Sequence, residues 1–378
     1  MPRIGIVAGE VSGDQLATDL VLSLRRQVPD LEVVGIGGPG LTRAGCHILY
    51  PMEKLSVMGI SEVFPRIIEL LKIRRQTRDY FLENPPDVFI GVDAPDFNFR
   101  LEKQLKKAGI KTIHYVSPSI WAWREYRLKF IANCIDKMLT LYPFEPPYYE
   151  KYNIPAAFVG HPLASKIPME TDKLAARKRL MLPVDKRIIA FLPGSRQSEI
   201  KRMLPFFLDS LSWCHREDNA LEFITNLTSD WADQYVRKQV EQRNPALCVK
   251  YFREQSLDVM EASDVVLLAS GTAALEAMLL KRPMVVAYRV NWLTYQIATR
   301  MIRLPYVSLP NVIAGKPVVP ELLQHDCIAE KIGPEIMNWL NDQERVESQV
   351  KIFEKLHSNI RTESSQVLSE EILGVMNA

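Results

Sequence analysis

The chain has 378 residues, of which 47% are hydrophobic and 24% charged, with a formal net charge of +2. That length exceeds one ordinary core and fits two domains, and the near balance of charge argues against a nucleic-acid partner. The five cysteines are scattered, with no CxxC pair and no Cys/His cluster at zinc spacing, so they fit reduced thiols in a cytosol rather than a metal module.

Taken from the start, Arg3–Gly9 has the composition of a buried strand and leaves no room for a signal peptide before it. No apolar run approaches the about 20 residues of a transmembrane helix, so any membrane contact is expected to be peripheral. The strand runs into Gly9-Glu10-Val11-Ser12-Gly13-Asp14, whose glycines let a ligand approach. Glu10, Ser12 and Asp14 are therefore candidates for the acceptor side of a site, while Ser12 or Asp14 serves equally as an N-cap for the helix predicted over 14–27. A second strand, Glu32–Gly37, leads into Gly35-Ile36-Gly37-Gly38-Pro39-Gly40. This satisfies GxGxxG spacing, but it follows the second strand rather than the first, and Pro39 removes a backbone donor. It is expected to be a flexible turn and gives little footing to a NAD-dependent dehydrogenase.

Met58–Arg78 sets Phe64, Ile67, Ile68 and Leu71 among Lys72, Arg74, Arg75 and Arg78, with apolar residues on more than one helical face. Apolar surface beside cations suits a peripheral membrane contact, which makes Phe64, Ile67, Ile68, Leu71, Arg74 and Arg75 candidates. Core packing or a contact between copies in an oligomer is the competing reading. The strand Val88–Pro95 ends in Gly91-Val92-Asp93-Ala94-Pro95-Asp96-Phe97-Asn98. A carboxylate at a strand end can take a proton from an attacking hydroxyl, and Asp93 is the candidate base. Asp96 is read first as a helix cap, and with Asn98 it remains an acceptor-side candidate. Strands are further expected at Lys111–Ser117, Lys137–Tyr142 and Ala157–Gly160, with His114, Trp121 and Trp123 read first as packing residues.

A stretch rich in proline and charge, His161–Lys186, begins a hinge region. A second series of apolar runs follows at Ile188–Pro193, Glu222–Asn226, Val249–Phe252, Val265–Ser270 and Met284–Tyr288. Runs without strict polar alternation, separated by amphipathic helical stretches, predict parallel strands covered on both faces. The fold expected is α/β, with two Rossmann-like doubly wound domains facing a cleft. Residues 1–163 form the first, acceptor and membrane-facing domain, 164–344 the second, nucleotide-binding domain, and 345–378 a helical tail that packs on either. In Phe191-Leu192-Pro193-Gly194-Ser195-Arg196 a strand ends where a helix begins. Gly194 permits close backbone approach, backbone N–H groups around Ser195 can hold phosphate oxygens, and Arg196 suits a diphosphate; a plain turn with a surface arginine explains it as well. Met203–Phe207 is a second greasy patch or core. In Ala269-Ser270-Gly271-Thr272-Ala273-Ala274-Leu275-Glu276, Ser270, Gly271 and Thr272 can donate to phosphate. Glu276 can accept from two sugar hydroxyls or simply favour the helix dipole. Two such loops at strand C-terminal ends of one domain favour a nucleotide site.

Several segments together carry a resemblance: VAGEVSGD (7–14), VMGISEV (57–63), DAPDFN (93–98), KTIHYVSPSIWAWR (111–124), LPGSR (192–196), LLASGTAALE (267–276) and YVSLPN (306–311). By their number, order and spacing the chain resembles the lipid-A-disaccharide synthase family along nearly its whole length. That resemblance implies a GT-B glycosyltransferase without cofactor or catalytic metal, acting in lipopolysaccharide (lipid A) biosynthesis. It would join UDP-2,3-diacylglucosamine to 2,3-diacylglucosamine 1-phosphate (lipid X), giving the β-1,6 disaccharide 1-phosphate and UDP with inversion. It implies Asp93 as the essential aspartate, Arg196 as the diphosphate ligand and Glu276 as a ribose or donor contact. It also implies a cytoplasmic protein peripherally attached to the inner membrane of a Gram-negative-type bacterium. A UDP-sugar 2-epimerase, or a non-catalytic nucleotide-sugar-binding protein at the membrane surface, are the competing expectations.

Overall fold

The computed structural model describes residues 1–55, 63–120, 125–290, 305–362 and 364–377, and the side chains of all of these but 63–66 and 364. The chain divides into two compact units, Met1–Ser165 with Ile360–Ala378, and Lys166–Asn359.

The first unit is built on β1 (Arg3–Ala8), β2 (Glu32–Gly37), β3 (His47–Pro51), β4 (Val88–Val92), β5 (Thr112–Tyr115), β6 (Lys137–Thr140) and β7 (Ala156–Phe158). They form one sheet in the order β3-β2-β1-β4-β5-β6-β7, and every neighbouring pair is parallel. The inner strands are buried almost end to end, which is why they carry continuous apolar runs instead of alternation. The helices used below are α1 (Val11–Gln27), α2 (Pro39–Arg43), α3 (Val63–Glu83) and α4 (Pro95–Lys107). α3 and α4 supply Ile73, Phe81, Leu101 and Leu105 to a core with Val34, Ile36 and Phe89 of the sheet. The order of strands reverses between β1 and β4, where Ala8 pairs with Val92, so the segments leaving these two strands emerge side by side. In an open α/β sheet this reversal is where ligands bind.

The second unit repeats the plan with β8 (Ile188–Leu192), β9 (Glu222–Leu227), β10 (Val249–Arg253), β11 (Val265–Leu268), β12 (Met284–Tyr288) and β13 (Glu321–Leu323). Their order is β10-β9-β8-β11-β12-β13, again parallel throughout, with the reversal between β8 and β11. Phe191, Phe207, Leu211, Phe223 and Trp339 lie in its core. Met203 and Leu204 are fully buried there too, which settles Met203–Phe207 as core, with Phe206 half-buried against the Arg289 guanidinium. The buried Arg177 donates to the carbonyls of Ala262, Val184 and Lys186 and pairs with Asp264 at 2.7 Å, fixing the segments that enter β8 and β11.

The expected strands are present, and both sheets are the doubly wound kind predicted. Two strands went unread, β3 and β13. Both are short and largely half-buried, so neither carries the continuous apolar run that marks the inner strands. The tail forms helices Gln343–Ile360 and Ser364–Asn377. Phe353 and Ile360 are fully buried, and the last helix returns to the first unit. There Ser23 Oγ meets the Ser365 carbonyl and Ser369 Oγ at 2.7 Å, and Lys111 Nζ donates to the Met376 carbonyl at 3.2 Å.

Candidate functional site

In the second unit the two loops singled out in the sequence leave adjacent strands at the reversal. β8 ends at Leu192 beside Leu268 of β11, and the Ala269 N–H continues the ladder to the Leu192 carbonyl at 3.1 Å. Gly194 has φ +122°, a region closed to ordinary side chains, and a Cβ there would meet Glu199 Oε2 at 2.3 Å. Arg196 is the N-cap of helix Gln197–Glu217, with extended backbone and no side-chain cap bond. Its exposed guanidinium has no hydrogen-bond or ion-pair partner among the described residues. After β11, Ser270 Oγ donates to the Val307 carbonyl at 3.3 Å, Gly271 takes φ +146° as N-cap, and Thr272 opens helix Thr272–Leu279 in an exposed position. The N-terminal N–H groups of the two helices have a helix dipole behind them, and such ends favour anions. Glu276, one turn in, is half-buried, and burial alone pushes its carboxyl above the ordinary value. No described side chain or backbone group pairs with it, so its oxygens are available to an outside donor.

Sequence reasoning missed Glu199 and Tyr288. Glu199 Oε2 accepts from the Ser195 N–H at 3.2 Å and is hydrogen-bonded to Tyr288, whose phenol is raised first by burial and then by this carboxylate. Glu199 is the third residue of its helix, and a glutamate there reaching back to the preceding loop is a spacing the sequence does show. Glu321 was missed too. It accepts from the N–H groups of Val307 and Ser308, from Ser308 Oγ at 2.6 Å and from Asn311 Nδ2 at 2.7 Å. Ser308 and Asn311 of the YVSLPN segment are buried, so their polar atoms hold the segment on β13.

In the first unit, the reversal brings Gly9 and Asp93 together: a Cβ on Gly9 would lie 3.0 Å from that of Ala94. Asp93 and Ala94 are both left-handed, at φ +52° and +44°, an unusual pair for non-glycine residues. The Asp93 N–H donates to the Tyr115 carbonyl at 2.9 Å, and its carbonyl accepts from Asn98 Nδ2 at 2.8 Å. Its half-exposed carboxylate has no partner among the described residues.

The other candidates here stand differently from expectation. Asp96 is not the cap: Ala94 is the N-cap of α4 with Pro95 at N1, and Asp96 sits exposed in the first turn, paired with Arg127 at 2.8 Å. Proline's fixed φ starts the helix early enough to place Asp96 inside it. Asn98 is fully buried and donates toward the carbonyls of Val7, Val92 and Asp93, tying the ends of β1 and β4. Neither Ser12 nor Asp14 caps α1, because the helix starts at Val11 with Glu10 as N-cap. Glu10 and Ser12 are exposed. Asp14 is buried, with its oxygens accepting from the N–H groups of Gly38 (2.7 Å), Gly40 (2.8 Å) and Leu41 (3.2 Å). The Gly35–Gly40 segment is therefore a fixed turn entering α2 rather than a flexible one. His114 is a core residue, fully buried with Nδ1 2.8 Å from Glu102 Oε1, where burial raises the Glu102 carboxyl. Trp121, Trp123 and most of VMGISEV lie outside the described residues.

α3 has two apolar faces. Ile73 and Phe81 are buried, whereas Ile67, Ile68 and Leu71 are 42%, 72% and 45% exposed. Arg75 is exposed beside them and Arg74 half-buried; the Phe64 side chain lies outside the described set. Among the described residues no helix is long and apolar enough to cross a membrane, and no three His, Cys, Asp or Glu side chains are placed to hold a metal ion. Burial pushes the thiols of Cys46, Cys134 and Cys214 up to about 12, so none of them suits a nucleophile.

The family model for lipid-A-disaccharide synthetase matches residues 4–372. Lipid-A-disaccharide synthase of Methylobacillus flagellatus is 44% identical over 374 residues, covering 99% of each chain. That of Vibrio campbellii is 44% identical over 371 residues, covering 98% of this chain and 97% of the relative. Among solved structures, the S. aureus MnaA–UDP co-structure matches with a TM-score of 0.66 at 12% identity, over 99% of this chain and 95% of that one. UDP-GlcNAc 2-epimerase from Neisseria meningitidis bound to UDP-GlcNAc matches with a TM-score of 0.61 at 12% identity, over the whole of both chains. At such identities the structural likeness establishes the fold alone.

Proposed function

The chain belongs to the lipid-A-disaccharide synthase family and is a glycosyltransferase that forms the lipid A disaccharide, and from that premise we propose how its residues divide the reaction. Its substrates are a nucleotide sugar and a lipid-bearing sugar acceptor. We take them to be UDP-2,3-diacylglucosamine and 2,3-diacylglucosamine 1-phosphate. The acceptor 6-hydroxyl attacks the donor anomeric carbon from the face opposite the leaving group. The bond from that carbon to the diphosphate oxygen breaks, UDP departs, and the centre inverts.

The observation that carries the donor assignment is the pairing of two loops at the strand reversal of the second sheet, where open α/β sheets bind ligands. Charge develops on the diphosphate as it leaves. Arg196 and the N-terminal N–H groups of helices Gln197–Glu217 and Thr272–Leu279 are arranged to stabilise it. Gly194, Ser195, Ser270, Gly271 and Thr272 shape the backbone around the phosphates, and Glu276 accepts from two hydroxyls of the ribose or the donor sugar. Asp93 takes the proton as the alcohol attacks, since an alcohol is too weak an acid to release it beforehand. Its unpaired carboxylate on a left-handed turn is the feature that supports this role. Glu10 and Ser12, exposed across the same reversal, are read as lining the acceptor side.

The fold neighbours include UDP-GlcNAc 2-epimerases, so the competing reading is tested by the same assay. The protein is incubated with the two acylated sugars, and UDP and disaccharide are followed by mass spectrometry. Disaccharide that vanishes in Asp93→Ala, with UDP binding retained, is the expected result. UDP binding without disaccharide sinks the transferase reading. We also propose that Ile67, Ile68 and Leu71, with Arg74 and Arg75 beside them, rest on the inner-membrane surface. Replacing the three apolar residues with serine is expected to weaken liposome binding and leave UDP affinity intact; unchanged liposome binding refutes it.

A further inference from the structure

Beside the Asp93 turn the first unit holds a recess of about 720 Å³ that the reaction as described leaves unused. Among the described residues its lining carries five cations, Arg74 of α3, Arg100, Lys103 and Lys107 of α4, and Arg127, against a single carboxylate, Asp96. That carboxylate is already paired with Arg127. Lys103 Nζ stands 5.0 Å over the Phe130 ring, and Arg74, Arg100 and Lys107 have no ion pair among the described residues. Positions 100, 103 and 107 recur at helical spacing and so point from one face of α4. The Arg74 guanidinium is held below its ordinary value first by burial and then by the neighbouring Arg100. A concave basic surface of this kind concentrates anions.

The position of the recess says which anion. Pro95 and Asp96, which line its near end, come two and three residues after Asp93, so that end of the recess adjoins the turn of the proposed base. The acceptor carries its phosphate at C1, one hexose ring away from the 6-hydroxyl that Asp93 would deprotonate. A phosphomonoester carries close to two negative charges at neutral pH and three acceptor oxygens, whereas a phosphodiester lipid headgroup carries one charge. Several converging cations favour the former. We propose that this recess binds the phosphomonoester of the acceptor through Arg74, Arg100 and Lys107, and so selects a 1-phosphorylated acceptor over its dephosphorylated counterpart. This rests on Asp93 marking the acceptor side.

Arg100 and Lys107 are exposed, so glutamine at either position leaves the fold in place. The double variant Arg100→Gln/Lys107→Gln is expected to raise KM for the phosphorylated acceptor roughly tenfold. KM for the UDP-sugar stays put, and the preference for phosphorylated over dephosphorylated acceptor narrows by the same factor. An unchanged acceptor KM and preference overturn the proposal. So does loss of binding to phosphatidylglycerol vesicles with KM for detergent-dispersed acceptor unmoved, which assigns the recess to a lipid headgroup instead. Calorimetric titration of the acceptor separates the two layers. If the wild type makes no disaccharide but the double variant still binds acceptor more weakly, the transferase reading fails and the recess stands. If Asp93→Ala abolishes turnover while acceptor binding is the same in wild type and double variant, the recess fails and the transferase reading stands.

Discussion

Asp14 offers the sharpest test of how a residue's hydrogen bonds determine its role. Its Oδ1 accepts from the Gly38 and Leu41 N–H groups and its Oδ2 from that of Gly40, so three donors of one turn depend on one buried carboxylate. Hydrogen bonds to a charged group are worth about 1.5–3 kcal/mol each, and removing one side of a buried charged network costs about 3–5 kcal/mol in all. Asp14→Ala is therefore expected to destabilise the first unit by about 3–5 kcal/mol. Asp14→Asn keeps one oxygen, enough for Gly38 and Leu41, but turns an NH2 toward the Gly40 N–H, donor against donor. Its expected cost is lower, about 1–3 kcal/mol. Gly38→Ala reaches the same point from the other side, because a Cβ there would lie 2.8 Å from Asp14 Oδ2. Hydrogen exchange of a peptide spanning residues 35–44 reports the turn directly, and about 3 kcal/mol lowers protection by roughly a hundredfold. If Asp14→Asn raises the acceptor KM while exchange and thermal unfolding stay at wild-type values, Asp14 touches substrate and the scaffold reading is wrong.

Arg196→Ala is expected to lower kcat/KM for the UDP-sugar by about 10²–10³ in steady-state assays, and Arg196→Lys to recover only part of it because a point charge cannot engage two phosphate oxygens side by side. Glu276→Gln is expected to weaken donor binding about tenfold and to abolish a pH dependence in which wild-type donor KM rises as pH falls through the upper carboxylate range, as measured by KM–pH profiles. Because burial raises the folded-state value of Glu276, its contribution to stability is full below the ordinary carboxylate value and is lost as pH rises through the raised one, so Glu276→Gln should melt higher at neutral pH in calorimetry. Gly271→Ala meets no atom within 4 Å but must adopt φ +146°, so it isolates backbone strain: about 1–3 kcal/mol lost in denaturant unfolding, with weaker UDP binding.

What the sequence disclosed follows from which forces are local. The inner strands are legible because burial on both faces imposes apolar runs, as in Ile4–Ala8 and Val265–Leu268. β3 and β13 are not, because pairing rather than composition makes them strands. The two loops proposed for the phosphates are legible because glycine marks backbone that other residues avoid, at Gly194 and Gly271. The role of Asp14 was hidden because its partners lie 24 to 27 positions away. That of Asp96 was misjudged because Pro95 moves the helix start by two residues from the expected cap. The cations at 74, 100, 103, 107 and 127 lie on three separate segments, and they meet at one recess through the packing of α3 against α4 and the pairing of Arg127 with Asp96.

In and around the motif segments the hydrogen bonds sort the polar residues into two kinds. Asp14 through its carboxylate and Asn98 through Nδ2 engage backbone of the first unit, while Asn311 and Glu321 engage backbone and one another in the second. Asp14, Asn98 and Asn311 are buried and Glu321 is half-buried, and each ties down a segment that adjoins a strand. Asp93, Arg196 and Glu276 lie on the segments that leave β4, β8 and β11, incompletely buried and without a protein partner among the described residues. A charged group left unmatched at such a position contributes nothing to folding, and for Glu276 burial makes the charged form less favourable. Its hydrogen-bonding capacity is available to a ligand, and the left-handed pair Asp93–Ala94 shows backbone strain accepted at one such position. The scaffold residues make this strain tolerable: Asn98 holds the Asp93 carbonyl at 2.8 Å and leaves the carboxylate free. A motif residue's function is thus told less by its chemical type than by whether the fold has already engaged its polar atoms.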